Sequence, residues 1–369
     1  MFRFGFSVIL FFGLASCADR TFAPVLPEAA TVGEAETVFV ATSRSLNERG
    51  FYGSERSNEI AYVKVDVSVP PDRQPGTLRT TPLHPDPNRH FVISRQADLS
   101  SASGFMSSVR KELLSKPSGQ RDLLLYVHGY NNSFADSVFR VAQLSHDFDL
   151  PDLAVAYSWP SDAHPLGYSH DRDSALFARD GLETMLRQLP STGANRITLV
   201  AHSMGSLLVM ETLRQIEIAT PGWSQRNLDG VVLISPDVDV DLFKHQAARI
   251  RELPQPFAVF TSRKDRVLRL SAQINGHSKR LGRVTDATEL AELPLILVDV
   301  SEFSENGLGP NHFTVGTSPA LISLLTQSQA VQQVFQQDPA GRAGTLPRTV
   351  ITVQNATQMV LSPGLLRPN

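Results

Sequence analysis

Six short, largely apolar segments alternate with helix-like segments between residues 123 and 327 of this 369-residue chain. The apolar segments cover residues 123–127, 153–159, 196–201, 231–235, 257–261 and 295–300. A strand that is a near-continuous apolar run belongs inside a parallel sheet, because helices then cover both of its faces. The alternation therefore predicts an α/β fold: a doubly wound, mostly parallel sheet with helices on both faces.

The predicted domain extends beyond this alternation on both sides. Strand-like runs occupy residues 37–42 and 60–69, the second with period-two alternation, and an amphipathic helix near residues 319–327 follows the last apolar segment. A further helix is expected near residues 174–189. We therefore expect one α/β domain over residues 37–327.

The chain after this domain, residues 328–369, is rich in Gln, Pro and Thr and poor in charge. It is expected to be a tail, within which residues 348–354 have the composition of an edge strand.

The first 17 residues have the features of an export signal. Arg3 precedes an apolar run over residues 4–14, which is shorter than the roughly 20 residues that a membrane span needs. The following Leu-Ala-Ser-Cys, ending at Cys17, resembles a bacterial lipobox. The sequence thus predicts a signal peptide at 1–16, lipidation of Cys17 and a tether at 17–36. Ala18 after the cysteine favours the outer membrane, with the protein facing the periplasm.

Composition excludes several classes of function. Lys and Arg total 34 against 37 Asp and Glu, and a net charge of −3 argues against nucleic-acid binding. Cys17 is the only cysteine. A calcium-binding loop that began at Asp237 would need Gly at position 242 and Glu at position 248, but Leu242 and Ala248 occupy these positions. No phosphate-binding loop is evident, so we expect neither a cofactor nor a metal.

Ala201-His202-Ser203-Met204-Gly205 lies between a predicted strand and a predicted helix. It differs from the G-x-S-x-G nucleophile elbow only in its first residue, where alanine satisfies the need for a small side chain. Such a turn would expose the Ser203 hydroxyl above the carboxyl edge of the sheet. The Met204 amide would then face a developing oxyanion.

Two further motifs follow the ends of neighbouring strands: VHGYNNSF at residues 127–134 and SWPS at residues 158–161. With AHSMG, they resemble the alpha/beta-hydrolase superfamily, and more closely an uncharacterised bacterial branch of it. The resemblance implies that the Tyr130 amide is the second oxyanion donor and that His128 has a structural role. Tyr168 and Asp171 also match residues common in this branch, without an assigned role.

The same resemblance implies the chain order serine, acid, histidine. His312 lies in a glycine-rich loop between the last predicted strand and helix, whereas His277 lies in a turn expected to be exposed and His245 in a helix. We therefore expect His312 to be the base. The expected acid is Asp265, after the strand at 257–261, with Asp237 or Asp239 as the alternative.

These residues predict a serine hydrolase that acts on a small-molecule carboxylic ester or a related acyl group. Two alternatives use the same fold. One is a catalytically silent lipoprotein that binds a partner or a lipid in the same cleft, and the other is an acyltransferase.

Overall fold

The computed structural model describes residues 20, 22–81, 83–150, 152–303, 310–327, 349–354 and 358–363. The predicted signal peptide, Cys17 and the first part of the predicted tail, residues 328–348, lie outside the described residues.

Within the described residues, eleven strands form one sheet. They are β1 Glu34–Leu46, β2 Tyr52–Val69, β3 Val92–Leu99, β4 Leu123–Val127, β5 Leu153–Ser158, β6 Ile197–His202, β7 Gly230–Ile234, β8 Phe257–Thr261, β9 Ile296–Asp299, β10 Thr349–Gln354 and β11 Gln358–Pro363. Their order across the sheet is β11-β10-β9-β8-β7-β6-β4-β5-β1-β2-β3. All neighbours from β10 to β1 are parallel, and the outer pairs β1–β2, β2–β3 and β10–β11 are antiparallel. The predicted mostly parallel α/β fold is confirmed.

Ten α-helices accompany these strands in the part of the chain that the structure describes. They are α1 Ala102–Ser115, α2 Phe134–Asp147, α3 Tyr168–Phe177, α4 Arg179–Gln188, α5 Met204–Ala219, α6 Trp223–Asn227, α7 Val240–Arg249, α8 Arg266–Ile274, α9 Thr314–Thr317 and α10 Pro319–Gln327. No helix in the described ranges combines the length and the apolar character needed to cross a bilayer.

Strand β4 shows how the helices are divided between the two faces. Leu123, Leu125 and Val127 belong to one buried cluster, which also contains the apolar side of α5. Leu124 and Tyr126 belong to a second cluster, which contains the apolar side of α2. Alternate residues of a strand point to opposite faces, so helices cover both faces, as the near-continuous apolar segments predict.

Several elements differ from the sequence prediction. The helix expected at 174–189 begins at Tyr168 and is divided at Ala178, whose carbonyl accepts a hydrogen bond from the Tyr157 hydroxyl (2.9 Å). Strand β3 and helix α1 were not predicted. Strand β3 lies at the edge of the sheet and only three of its eight residues are buried, which weakens its apolar alternation.

The predicted tether and tail are also partly structured. Residues 27–31 form a 3₁₀ turn, the Leu26 amide donates to the Ile93 carbonyl at 2.8 Å, and β1 begins at Glu34 rather than at residue 37. At the other end, β10 pairs with β9 and is itself covered by β11. The predicted strand exists, but it is not at the edge, because a second strand follows it.

The chain order reverses at the centre of the sheet. Strand β5 lies on one side of β4, and β6 crosses over to the other side. In a doubly wound sheet, the crevice at such a reversal opens at the carboxyl ends of the strands and is where ligands bind. The segments that leave β4 and β6 there are those that contain Tyr130 and Ser203.

Candidate active site

Ser203 occupies a sharp turn between β6 and α5. Its backbone has φ +52° and ψ −124°, a conformation that side chains rarely adopt. Its amide donates to the Ile234 carbonyl of the neighbouring strand at 3.0 Å, and Ala201, two residues earlier, is fully buried. The strand-to-helix turn predicted for the serine motif is therefore present.

Two glycines allow this turn to pack against the end of β4. A Cβ atom on Gly205 would lie 2.3 Å from the His128 carbonyl oxygen and 2.6 Å from that of Val127. A Cβ atom on Gly129 would lie 2.7 Å from the Ser203 Cβ. Both positions require glycine, because a side chain would separate the serine turn from the loop that contains Tyr130.

His312 and Asp265 contact each other at the same edge of the sheet. His312 Nδ1 lies 2.8 Å from Asp265 Oδ2, and the aspartate is almost completely buried. The other carboxylate oxygen accepts the Leu268 amide at 2.9 Å and caps helix α8. The carboxylate is thus fixed by a helix on one side and meets the imidazole on the other.

His312 also lies beside the serine turn. Its ring centroid is 4.8 Å from that of His202, the residue directly before Ser203. Within the described residues, no hydrogen bond joins the Ser203 hydroxyl to the His312 ring. The structure therefore brings His312 and Asp265 into contact and places them next to Ser203, without a direct bond to the serine.

The alternative acids have other partners. Asp237 accepts hydrogen bonds from the hydroxyls of Ser271 (2.7 Å) and Tyr168 (3.0 Å) and forms an ion pair with Arg280. Asp239 accepts the amides of residues 241 and 242 and caps helix α7. Among the residues that the structure describes, neither carboxylate pairs with an imidazole.

The other two downstream histidines, His245 and His277, are exposed. Of the three histidines considered from the sequence, only His312 meets a buried carboxylate within the described residues.

The two amides expected to bind an oxyanion are unpaired. Within the described ranges, neither the Tyr130 amide nor the Met204 amide has a hydrogen-bond acceptor. Met204 is the first residue of α5, where an unpaired amide and the helix dipole both favour a negative charge. The two donors belong to segments that the glycines hold close together.

His128 is part of the scaffold around these donors. It is fully buried, its ring stacks on Trp159 at 4.8 Å, and its Nε2 lies 3.0 Å from the Trp159 carbonyl oxygen. Burial, reinforced by the nearby Arg44 charge, lowers the pKa of His128 to about 3. Burial likewise lowers the pKa of His202, with the charge of His312 contributing. Both rings are therefore neutral near pH 7.

Sequence reasoning missed Arg44, which reaches this region from β1. Its side chain is buried and donates to the Asn132 carbonyl at 2.7 Å and to the Ser161 carbonyl at 3.0 Å. An arginine in a strand far away in sequence gives no local motif, so only the fold identifies it. Among the described residues, no group of three or more His, Cys, Asp or Glu is placed to hold a metal ion.

Comparison with known proteins gives one family and several distant structures. A CIB-like hydrolase from Thermoplasma acidophilum is 18% identical, over 57% of this chain and 87% of its own, with a TM-score of 0.32. A YdeN-like hydrolase from Pectobacterium atrosepticum is 18% identical, over 59% of this chain and 98% of its own, with a TM-score of 0.31. An esterase from Pyrobaculum calidifontis is 11% identical, over 73% and 76%, with a TM-score of 0.28.

A search of curated proteins gives no match. The model of the family described as "Alpha/beta hydrolase of unknown function (DUF900)" matches residues 104–328, more than half of the chain. The matched range includes Ser203, Asp265 and His312.

Proposed function

Because this chain belongs to the DUF900 family of alpha/beta hydrolases, we propose that it is a serine hydrolase that cleaves carboxylic esters. The observation that carries the proposal is the contact between His312 and the buried Asp265 at the carboxyl edge of the sheet, beside the strained turn of Ser203. A nucleophilic serine needs a base, and the base needs a group that orients it. These three side chains supply those roles.

In the proposed reaction, the Ser203 hydroxyl attacks the ester carbonyl carbon and gives its proton to His312 Nε2. Asp265 holds the Nδ1–H of the ring and stabilises the imidazolium that forms. The carbonyl oxygen becomes an oxyanion, which the amides of Tyr130 and Met204 bind. His312 then protonates the leaving alcohol, and water releases the acid from the acyl-serine by the same route.

The missing Ser203–His312 hydrogen bond is compatible with this scheme. Catalytic hydrogen bonds are often long before a substrate binds and shorten only in the complex. The bond from His312 to Asp265 sets the ring so that Nδ1 faces the carboxylate, which leaves Nε2 for the serine.

A serine-directed fluorophosphonate tests the nucleophile. It is expected to label the wild type and leave Ser203→Ala unlabelled, and hydrolysis of chromogenic esters by that variant is expected to fall on the order of a thousandfold or more. Ser206→Ala is a matched control, because Ser206 is also buried and lies one turn later in α5. Equal labelling of wild type and Ser203→Ala would contradict the proposal. A series of acyl-chain lengths on the same esters would then define the substrate.

We also propose that the enzyme is anchored to the bacterial envelope through Cys17. The support is the lipobox-like sequence that ends at this only cysteine, after a short apolar run. Cys17→Ser is expected to abolish incorporation of labelled palmitate and to move the protein out of the membrane fraction. Ser16→Ala, which keeps a small residue before the cysteine, is the control. Unchanged fractionation of Cys17→Ser would refute the anchor.

A further inference from the structure

Two consecutive amides of the loop after β4 donate to buried side-chain oxygens. The Asn131 amide donates to Asp171 Oδ2 at 2.9 Å, and the Asn132 amide donates to Ser161 Oγ at 3.1 Å. The preceding amide, that of Tyr130, has no acceptor within the described residues. The loop therefore presents one unpaired donor directly before two fixed ones.

Asp171 is the central acceptor of this arrangement. It lies in the first turn of α3 and its side chain is fully buried. Oδ2 also accepts the Ser161 hydroxyl at 2.6 Å, and Oδ1 accepts the Asp162 amide at 2.6 Å. A buried carboxylate is stable only when donors and charges compensate for the water it has lost, and here the compensating donors belong to the loops around the site.

Arg44 supplies the opposite charge from the other side. Besides the Asn132 and Ser161 carbonyls, it donates to the Ser158 hydroxyl at 3.0 Å. Burial lowers the pKa of Arg44 to about 9, and the negative charge of Asp171 opposes that shift. Two buried, opposite charges from β1 and α3 thus bond to the backbone of adjacent residues in the same loop.

We propose that Asp171 is a positioning residue for the oxyanion hole: it holds the loop so that the Tyr130 amide faces the developing negative charge. This inference rests on the proposed ester hydrolysis. Asn131 has φ +58°, a left-handed conformation that asparagine adopts more readily than most residues, and its amide is held in that conformation by Asp171. Asp171 acts through the Asn131 amide and through Ser161, and not on the substrate.

The test is Asp171→Asn, which preserves the size of the side chain and removes its charge and one of its two acceptor oxygens. Loss of one oxyanion donor costs about a hundredfold to a thousandfold in kcat. A displaced donor should therefore lower kcat at least about tenfold, with KM changed by less than about threefold. Asp122→Asn is the control, because Asp122 is also buried and ion-paired but lies at the opposite end of β4, next to Arg196.

A second readout separates positioning from general damage. A trifluoromethyl ketone forms an oxyanion with the serine, whereas the corresponding amide of the same shape binds without forming one. Asp171→Asn is expected to lower the affinity for the ketone at least about tenfold and to change the affinity for the amide by less than about threefold. Equal affinity of wild type and variant for the ketone would overturn the proposal.

Ser161→Ala repeats the test in case Asp171→Asn does not fold, because it removes the acceptor of the Asn132 amide and one donor to Asp171. This variant is expected to bind the ketone at least about threefold more weakly, and an unchanged affinity would equally overturn the proposal.

Hydrogen exchange of residues 130–133 gives an outcome independent of catalysis and is expected to accelerate in both variants. If exchange accelerated in the variants but Ser203 of the wild-type protein did not react with the fluorophosphonate, ester hydrolysis would be refuted while the loop-holding role would be supported. If Ser203 reacted in both variants as it does in the wild type, the positioning role alone would be refuted.

Discussion

Ser203 keeps a backbone conformation that is unfavourable for any residue with a side chain. Such strain costs about 1–3 kcal/mol and persists at functional sites because the surrounding structure imposes it. Here the Ser203 amide is held by the Ile234 carbonyl, and its own carbonyl accepts the Asp237 amide at 3.1 Å. The position of the hydroxyl is therefore obtained at the expense of stability.

Replacing Ser203 by glycine should reveal this strain. Ser203→Gly is expected to be inactive but more stable than Ser203→Ala by about 1 kcal/mol. Glycine relieves the backbone strain of the folded state, and the greater conformational entropy that it gives the unfolded chain cancels only part of this stabilisation. Urea unfolding of the two variants measures the difference. A glycine variant that is no more stable than the alanine variant would show that the turn is unstrained.

His128 makes stability depend on pH in a defined direction. The folded-state pKa is lowered to about 3 from 6.5, so below pH 6.5 the unfolded chain binds a proton that the folded protein does not. The contribution of the neutral His128 ring to the free energy of unfolding is complete above pH 6.5 and is lost as the pH falls towards 3. Between pH 7.5 and 5.5 this one histidine should account for about 1.4 kcal/mol.

The corresponding experiment compares the free energy of unfolding at these two pH values. His128→Gln should lose less stability on acidification than the wild type, since glutamine does not titrate. His245→Gln removes an exposed histidine and should behave like the wild type. Identical pH dependence in all three proteins would contradict the lowered pKa.

At the scale of elements, the site depends on how closely the start of α5 approaches the end of β4. A Cβ at Gly205 would meet backbone oxygens, which cannot rotate away as a flexible side chain could. Gly205→Ala is therefore expected to destabilise the protein by about 3 kcal/mol and to reduce phosphonate labelling, because the serine turn and the Tyr130 loop are forced apart.

Gly119→Ala is the control for this substitution. A Cβ at Gly119 would meet no atom within 4 Å, and its φ is not in the left-handed region. Thermal unfolding should place this variant close to the wild type. If Gly205→Ala were as stable and as reactive, the close packing of the two elements would not be required.

At the scale of the whole molecule, the sheet separates the site from its C-terminal edge. Strands β7, β8 and β9 lie between β6 and the pair β10–β11. Removing residues 349–369 would leave the far edge of β9 without its backbone partner. We expect a lower melting temperature and self-association, because an unpaired edge strand invites pairing with another chain, while Ser203 should still react with the phosphonate.

The control for this truncation removes only residues 364–369, which follow the last described strand. Light scattering and thermal unfolding should show this shorter truncation to resemble the wild type. If removal of residues 349–369 also left both properties unchanged, β10 and β11 would not contribute to the stability of the sheet.

The amino-acid sequence by itself determined the centre of this molecule. The near-continuous apolar segments predicted β4 to β9, and the amphipathic segment near Pro319–Gln327 predicted α10. The small residues around Ser203 indicated its turn. These features are local: burial on both faces, or a sharp turn, imposes a pattern on neighbouring residues that can be recognised without the rest of the chain.

The tertiary structure decided what depends on distant partners. The division of the predicted helix at Ala178, the pairing of β10 with β9, and the hydrogen bonds of Arg44 and Asp171 to one loop all join segments that are separated in sequence. The physical reason is that a buried charge or an unpaired backbone group takes whichever partner the fold places beside it. No pattern along the chain records that choice.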